Sequence, residues 1–484
     1  MTTSFLWYDY ETFGSQPQKD RPAQFAAQRT DESFRSNGAP IMLYCHPPLD
    51  RLPSPEACLI TGITPQEAQN KGIPEAQFAK RLFRLFNEPG TCSIGYNSHS
   101  FDNPLTRFLF WRNFLPPYEH EYKNGTSRFD LINVSRGAAA LRPSDIHWPI
   151  NAQGKPSFRL EDLTRENGIG HEHAHDARSD VEATIQWAKR IHAAQPKLFS
   201  YALSLRFKDA VKTFNAISDR TPFLYSNAFF DARVFATSAA VVVASHPTNK
   251  NACIVYDLRK DPRFLLESSA DVLRDRLFAR KEEDSPPAQE RPGLSELRFN
   301  ASPFIAPIEY LKDPQIAKRL ELPPQNINRH FELLRNASGL EEKVQSIYQS
   351  SEKEVKPPQE DLYGGFLSWD DQAICRRIQS VEPAELADLE EQFDDARLGP
   401  MLFLYRAQNF PETLSGQDKE RWREHRRCSI RDDVDSKGSP LEHYFETIAK
   451  HEEKHTTDPK KRSLLEELRQ WGTNLNENLD ARTA

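Results

Sequence analysis

The segment FLWYDYET, residues 5–12, most tightly limits what this chain can fold into. Its apolar and aromatic residues read as a strand bound for a core, and successive side chains of a strand point to opposite faces. Asp9 and Glu11 therefore share a face. Two carboxylates side by side raise each other's pKa unless a cation lies between them, so the pair reads as half of a site for a hard divalent metal. The other half must come from elsewhere in the chain. Asp102, closing SIGYNSHSFD, and His175 and Asp180, within HAHDARSDVEATIQWA, are the candidates. Taken singly, each has a plainer role: a solvated strand end, a helix-terminal carboxylate for Asp102, a hydrogen-bonded surface histidine for His175. Together they sit where regular elements open or end, and such elements can preorganise a site.

These residues lie in DYETFG (9–14), DRPAQFAAQRTD (20–31), LITGITPQEA (59–68), GYNSHSFDN (95–103), SRFDLINVSR (127–136), LRPSDIHWP (141–149) and PSFRLEDLTRENGI (156–169) or beside them. The set closely resembles the exonuclease I family of bacteria, members of the DEDDh class of 3'-to-5' exonucleases. The likeness is dense over the first two hundred residues and weakens through the middle. It returns at LYGGF (362–366), LFLYRAQNFPETL (402–414) and RWREHRR (421–427).

The resemblance implies an α/β ribonuclease H-like exonuclease domain with a mixed β-sheet over 1–194. An SH3-like, β-barrel-containing domain would follow over 195–355, and a helical C-terminal domain over 356–484. The implied activity is processive removal of 5'-mononucleotides from the 3' end of single-stranded DNA, in DNA repair and recombination. Two divalent metals about 4 Å apart can clamp a scissile phosphate, acidify a water and stabilise the leaving 3' oxygen. Magnesium, with manganese as a substitute, suits carboxylate, phosphate and water oxygens. Chemistry and resemblance assign Asp9, Glu11, Asp102 and Asp180 to the metals, with Asp9 as the bridge. They assign His175 as the base, since an imidazole with a pKa near 6.5 is available at neutral pH.

Local patterns agree. Val181, Ile185, Ala188 and Ile191 recur at helical spacing, which puts Asp180 in a first turn and His175 on its approach. Asp176 suits helix capping. In LITGITPQE, Thr64 reads as an N-cap, Pro65 as the first helical residue and Glu67 as the partner in a capping box. The family meets the terminal nucleotides in this region, so Leu59 and Thr61 are expected to hold the 3' end. Unstacking a terminal base costs least in an unpaired strand, which favours single-stranded substrate.

The net charge of −7 excludes attraction to DNA through bulk charge, so a locally basic channel is needed. Lys123, Arg128, Arg142, Lys155, Arg159 and Arg165 are the candidates near the acidic site. Arg421, Arg423, Arg426 and Arg427 face either phosphates or their own acidic neighbours. The family also binds the acidic C-terminal tail of single-stranded-DNA-binding protein, and Arg142, Tyr201 and Arg335 correspond in position. A basic residue beside an apolar pocket suits such a carboxylate. The middle sequence around Arg335 diverges from the family.

Six scattered cysteines without Cys-x-x-Cys spacing argue against a structural zinc cluster or a secreted disulfide framework. No signal-like segment precedes the first strand, and AAVVVA (239–244) is far below membrane-spanning length. A monomeric, cytoplasmic bacterial enzyme with no membrane association is expected. Short β-rich runs such as FATSAAVVVASHP and ACIVYDLR suggest the barrel, with helices around 267–279 and 330–348. WDDQAICRRIQSV, HYFETIAKHEEKH and SLLEELRQWGTNL read as amphipathic helices of a region that reaches round to the catalytic domain. Two other functions stay open from sequence: an RNA 3'-to-5' exonuclease, and a non-catalytic single-stranded-DNA-binding adaptor.

Overall fold

The computed structural model describes residues 3–170, 176–279, 291–349, 355–434 and 438–480. It divides into two compact units. One gathers Met1–Thr126, Glu172–Glu182 and Val355–Ala484; the other gathers Ser127–His171 and Ala183–Glu354.

The first unit is built on strands β1 (Ser4–Thr12), β2 (Pro22–Thr30), β3 (Ile41–Tyr44) and β4 (Thr91–Gly95), ordered β3–β2–β1–β4. β2 runs antiparallel to β1 and to β3, and β4 runs parallel to β1, which makes the sheet mixed. The alternation of β1 explains its place at the centre. Leu6, Tyr8 and Tyr10 face a core with Phe25, Phe78, Leu82, Phe86, Leu105 and Leu109. The opposite face begins with Phe5 and Trp7, whose rings pack on Phe34, and the Trp7 indole donates to Thr30 Oγ1 at 2.9 Å. Two residues further along, that face turns acidic.

Both ends of the chain build this unit. Phe108, Trp111 and Phe114 share a core with Leu362, Ile378, Met401, Leu402 and Tyr405. Phe13, Ala23 and Ile63 share another with Tyr444, Ile448, Leu465 and Leu468. Each fully buried large side chain contributes roughly 1.5–3 kcal/mol. Polar ties reinforce the seam: Trp111 Nε1 donates to Pro358 O at 2.9 Å, Lys80 Nζ to Gln379 O at 2.9 Å, and Arg51 pairs with Glu360 at 3.0 Å. The expected C-terminal helices form as Trp369–Ile378, Pro440–Lys454 and Pro459–Asp480.

In the second unit, strand β5 (Ser127–Asp130) leads into the helix Leu131–Leu141. Strands β6 (Phe223–Ser226), β7 (Thr237–Ser245), β8 (Ala252–Asp257), β9 (Leu294–Arg298) and β10 (Phe304–Pro307) form an antiparallel sheet ordered β10–β6–β7–β8–β9. The β-branched run in β7 is buried up to its last residue, and Val242, Val255, Phe223, Leu297 and Ile305 form the core. The helical pattern read over 330–348 is two helices, Pro324–Arg335 and Leu340–Tyr348. Gly339, at φ +70°, turns the chain between them through a conformation that disfavours side chains.

Candidate active site

The register of β1 on β2 sets Asp9 opposite Ala26 and Glu11 opposite Gln24. Ala26 is small and leaves the acidic face open. Gln24 accepts the N–H of Ala177 on its Oε1 at 3.3 Å, which ties the start of the helix Ala177–Ala194 to the strand beside Glu11. Asp176 accepts the Ser179 N–H at 3.0 Å as a cap. The first turn then carries Asp180 over the strand. Ligating oxygens of Asp9, Glu11 and Asp180 lie within 4.8 Å of one another.

Asp102 arrives by a separate route. β4 ends at Gly95, where an added Cβ would lie 2.6 Å from the Ser98 side chain, so only glycine lets the turn fold back this closely. The Asn103 N–H donates to Ser98 O at 2.8 Å, and Asp102 opens the helix Asp102–Arg112. That helix is fixed against the other face of β1. The Tyr8 hydroxyl donates to Asn103 Oδ1 at 3.1 Å, and the Tyr10 and Thr106 hydroxyls share a hydrogen bond of 3.0 Å.

The electrostatics follow from this crowding. Burial pushes Asp9 well above the usual carboxylate range, and Asp102, Glu11 and Asp180 push it further. Glu11 is held up to about 9, by burial first and then by Asp180, Asp102 and Asp176. A buried cluster of like charges is stable only when protons or cations neutralise it. Three carboxylates at this separation offer the hard oxygen donors that a small divalent cation requires, so the residues fit a divalent metal.

Other expected site residues are more dispersed. His175 lies outside the described residues. Leu59 and Thr61 stand in the last turn of the helix Pro55–Thr61; Leu59 packs on the Phe13 cluster, and Thr61 Oγ1 accepts the Ile63 N–H at 3.2 Å. Thr64 caps the next helix as expected, but the Glu67 carboxylate bonds Lys71 at 2.6 Å instead of closing a capping box. Lys123 pairs with Glu119 at 2.7 Å, Arg159 with Glu161 at 3.6 Å, and Arg165 with Asp162. Lys155 is exposed. Arg128 turns inward, 6% exposed: its guanidinium donates to Asn300 O at 2.9 Å, and Ser302 donates to its carbonyl at 2.8 Å. That positions a loop of the second unit. Arg142 lies over the Tyr310 ring at 5.5 Å, and the Tyr201 hydroxyl donates to Ile305 O at 2.8 Å. Arg335 sits in a different cluster, paired with Glu332 at 2.8 Å and lining a cleft with Arg220, Phe331 and Val241–Val243. Among the terminal arginines, Arg426 donates to Leu49 O at 2.8 Å; Arg421 pairs with Glu390 at 3.4 Å, Arg423 with Glu420, and Arg427 with Asp432 at 3.0 Å.

Sequence reasoning missed Gln24. It stands inside the DRPAQFAAQRTD motif, but its position across from Glu11 is a matter of register, which the local sequence does not display.

Three family models cover the chain in succession: Exonuclease over 6–188, Exonuclease I SH3-like domain over 206–350, and Exonuclease I C-terminal domain over 356–475. Exodeoxyribonuclease I of Escherichia coli K12 is 41% identical over 471 residues, covering 97% of each chain. That of Haemophilus influenzae is 38% identical over 98% of each. Among solved structures, the zinc-bound E. coli ExoI–ssDNA complex superposes with a TM-score of 0.91 at 39% identity, over 98% of this chain and all of that one. The moderately thermophilic exonuclease I of Methylocaldum szegediense gives 0.91 at 40% identity, over 98% and 99%, and an ExoI/SSB-Ct complex 0.90 at 39%, over 98% and 100%. With its acidic site on an exonuclease sheet, its SH3-like and C-terminal domains in family order and near-complete coverage of its relatives, the chain belongs to the exodeoxyribonuclease I family.

Proposed function

We propose that this protein hydrolyses single-stranded DNA from the 3' end, releasing 5'-mononucleotides processively, with two magnesium ions that manganese can replace. The observation that carries the reading is the convergence of Asp9, Glu11 and Asp180 within 4.8 Å, with the charge of Asp102 acting on the first two. These four carboxylates would hold the ions. When bound, the ions supply positive charge for the scissile phosphate and for the departing 3' oxygen. His175 accepts the proton of the attacking water. Leu59 and Thr61 hold the terminal nucleotide, and Lys123, Arg128, Arg142, Lys155, Arg159 and Arg165 guide the backbone.

Relatives solved with single-stranded DNA and with an SSB C-terminal tail support the same ligands here. Arg142 and Tyr201 form the tail site, with Arg335 as a further basic contact. We take 1–194, 195–355 and 356–484 as the three domains, supported by the spans of the family models, and the protein as a cytoplasmic monomer. Among the described residues no helix is long and apolar enough to cross a membrane.

The test is the product ladder from 5'-labelled single-stranded DNA with magnesium, beside Asp9→Ala and a 3'-blocked strand. Progressive shortening, abolished by both changes, is the expected result. A matched RNA oligomer shortened faster would make the enzyme a ribonuclease. Binding without shortening in either metal would make the protein an adaptor.

A further inference from the structure

We propose that Tyr10 and Thr106 are positioning residues that hold Asp102 to the strand of Asp9 and Glu11, so that metal binding depends on two hydroxyls that touch neither metal nor DNA. The inference rests on the reading of these acids as metal ligands given above. Side chains of β1 alternate between its faces. Asp9 and Glu11 lie on one; Tyr8 and Tyr10 lie on the other, in the core they share with Leu105 and Leu109 of the helix Asp102–Arg112. Asp102 is therefore carried by a helix on the far side of the strand, yet its charge acts on both Asp9 and Glu11. Whatever fixes that helix on β1 fixes the fourth carboxylate.

The N-cap of the helix is Phe101, whose side chain carries no acceptor for the first-turn N–H groups, unlike the Ser, Thr, Asp or Asn usual there. β1 supplies a hold instead. Thr106 Oγ1 donates to Asp102 O, one turn back, at 2.8 Å. A hydroxyl has a single hydrogen, so in the 3.0 Å bond between Tyr10 and Thr106 the tyrosine is the donor. The bonds thus run from Tyr10 through Thr106 to the backbone of Asp102 itself.

A second rung lies beside the first. The Tyr8 hydroxyl donates to Asn103 Oδ1 at 3.1 Å, and Asn103 Nδ2 donates to His99 Nδ1 at 3.0 Å. Tyr8 and Tyr10 are about 7 Å apart along the strand, and Asn103 and Thr106 about 4.5 Å apart along the helix. One rung would let the helix pivot; two set both its slide and its rotation. All four side chains are buried, where a hydrogen bond is strong and a missing partner costly. Phenylalanine and valine would fill nearly the same volumes as Tyr10 and Thr106, so packing accounts for the ring and the branched side chain but not for the hydroxyls.

The test compares Tyr10→Phe, Thr106→Val and the double variant with wild type, in the full chain. Tyr444→Phe is the control: Tyr444 is also buried, and its hydroxyl donates to Leu468 O at 2.7 Å in a core that holds none of the four carboxylates. Manganese binding is measured by titration calorimetry without DNA, thermal stability in EDTA, and kcat and KM on oligo(dT) across magnesium concentrations. Manganese affinity and the magnesium midpoint for turnover should weaken about tenfold in each single variant. The double variant should lose no more than either single one, because both substitutions cut the same chain of bonds. KM for DNA should hold, and Thr106→Ser should restore metal affinity. Tyr444→Phe should lose stability and keep its metal affinity. Equal manganese affinity in wild type and Tyr10→Phe would overturn the proposal, as would additive losses in the double variant or an equal metal loss in Tyr444→Phe. A wild type that binds manganese but does not shorten single-stranded DNA would remove the exonuclease reading, while the binding comparison still decides the role of Tyr10 and Thr106. A wild type that binds no manganese would overturn both.

Discussion

Glu75 and Glu11 are both carboxylates buried in the first unit, 9% and 7% exposed, and they are kept in opposite ways. Glu75 accepts hydrogen bonds from Arg112 at 2.9 and 3.2 Å and from Asn113 at 2.9 Å, with Arg21 at 3.5 Å. Burial alone would raise its pKa, but Arg112 and Arg21 outweigh burial and hold it below the ordinary value. Glu11 has company of its own sign and is driven up to about 9. Burial of an acid therefore does not mark a working site; the sign of its neighbours does. The Glu75 knot is neutralised from within, whereas the Asp9–Glu11 cluster needs charge from outside.

The contrast can be broken experimentally. The largest expected effect comes from Asp9→Asn, which should lower turnover by about 10³-fold or more, while thermal stability in chelator stays level or rises because repulsion is relieved. Coincident loss of activity and of stability would place Asp9 with the structural acids. Next, Glu75→Ala should destabilise the fold by about 3–5 kcal/mol in denaturant titrations, since it strands Arg112 and Arg21 in the interior. A near-neutral result would dissolve the contrast from the other side.

Acidity separates the two acids further. Glu11 carries a folded pKa of about 9 against an ordinary 4.5, so between these values the native state holds the extra proton. Stability of the metal-free protein should then fall as pH rises through that window. Glu75, lowered in the fold, acts oppositely, and its contribution is lost as pH falls below the ordinary 4.5. Melting curves in EDTA across pH should show the alkaline loss, and magnesium should suppress it. An alkaline slope that ignores magnesium would argue against carboxylate ligation. The smallest effect is expected from Gln24→Ala, about a tenfold weaker apparent magnesium affinity with kcat at saturating metal little changed, because the helix bearing Asp180 loses its tether. Gln24→Glu keeps the accepting oxygen and should retain the tether; equal magnesium response in wild type and Gln24→Ala would remove that role.

Much of this was legible in the chain because it is local. The period of two in FLWYDYET put Asp9 and Glu11 on one face, and helical spacing after Ala177 put Asp180 in a first turn. The resemblance named the domains, and the family models bear out the family and its architecture. Long-range matters were hidden. Gln24 acts through strand register, and the inward turn of Arg128 depends on a loop near Asn300, far along the chain. Glu67 could complete either a capping box or an i,i+4 pair with Lys71, and the structure takes the pair. Local sequence does not decide between partners that are equally near.

The catalytic unit is closed by the two ends of the chain, and that imposes an order in time. Thr126 and Val355 bound the stretches that must meet. At about 5–20 residues per second, a ribosome needs roughly 10–45 s to travel from one to the other. During that interval the apolar faces of Phe108, Trp111 and Phe114 await Leu362, Met401 and Tyr405. A nascent chain therefore carries its acids long before it carries their enclosure, and a message cut short before Val355 yields the carboxylates without the unit that closes around them.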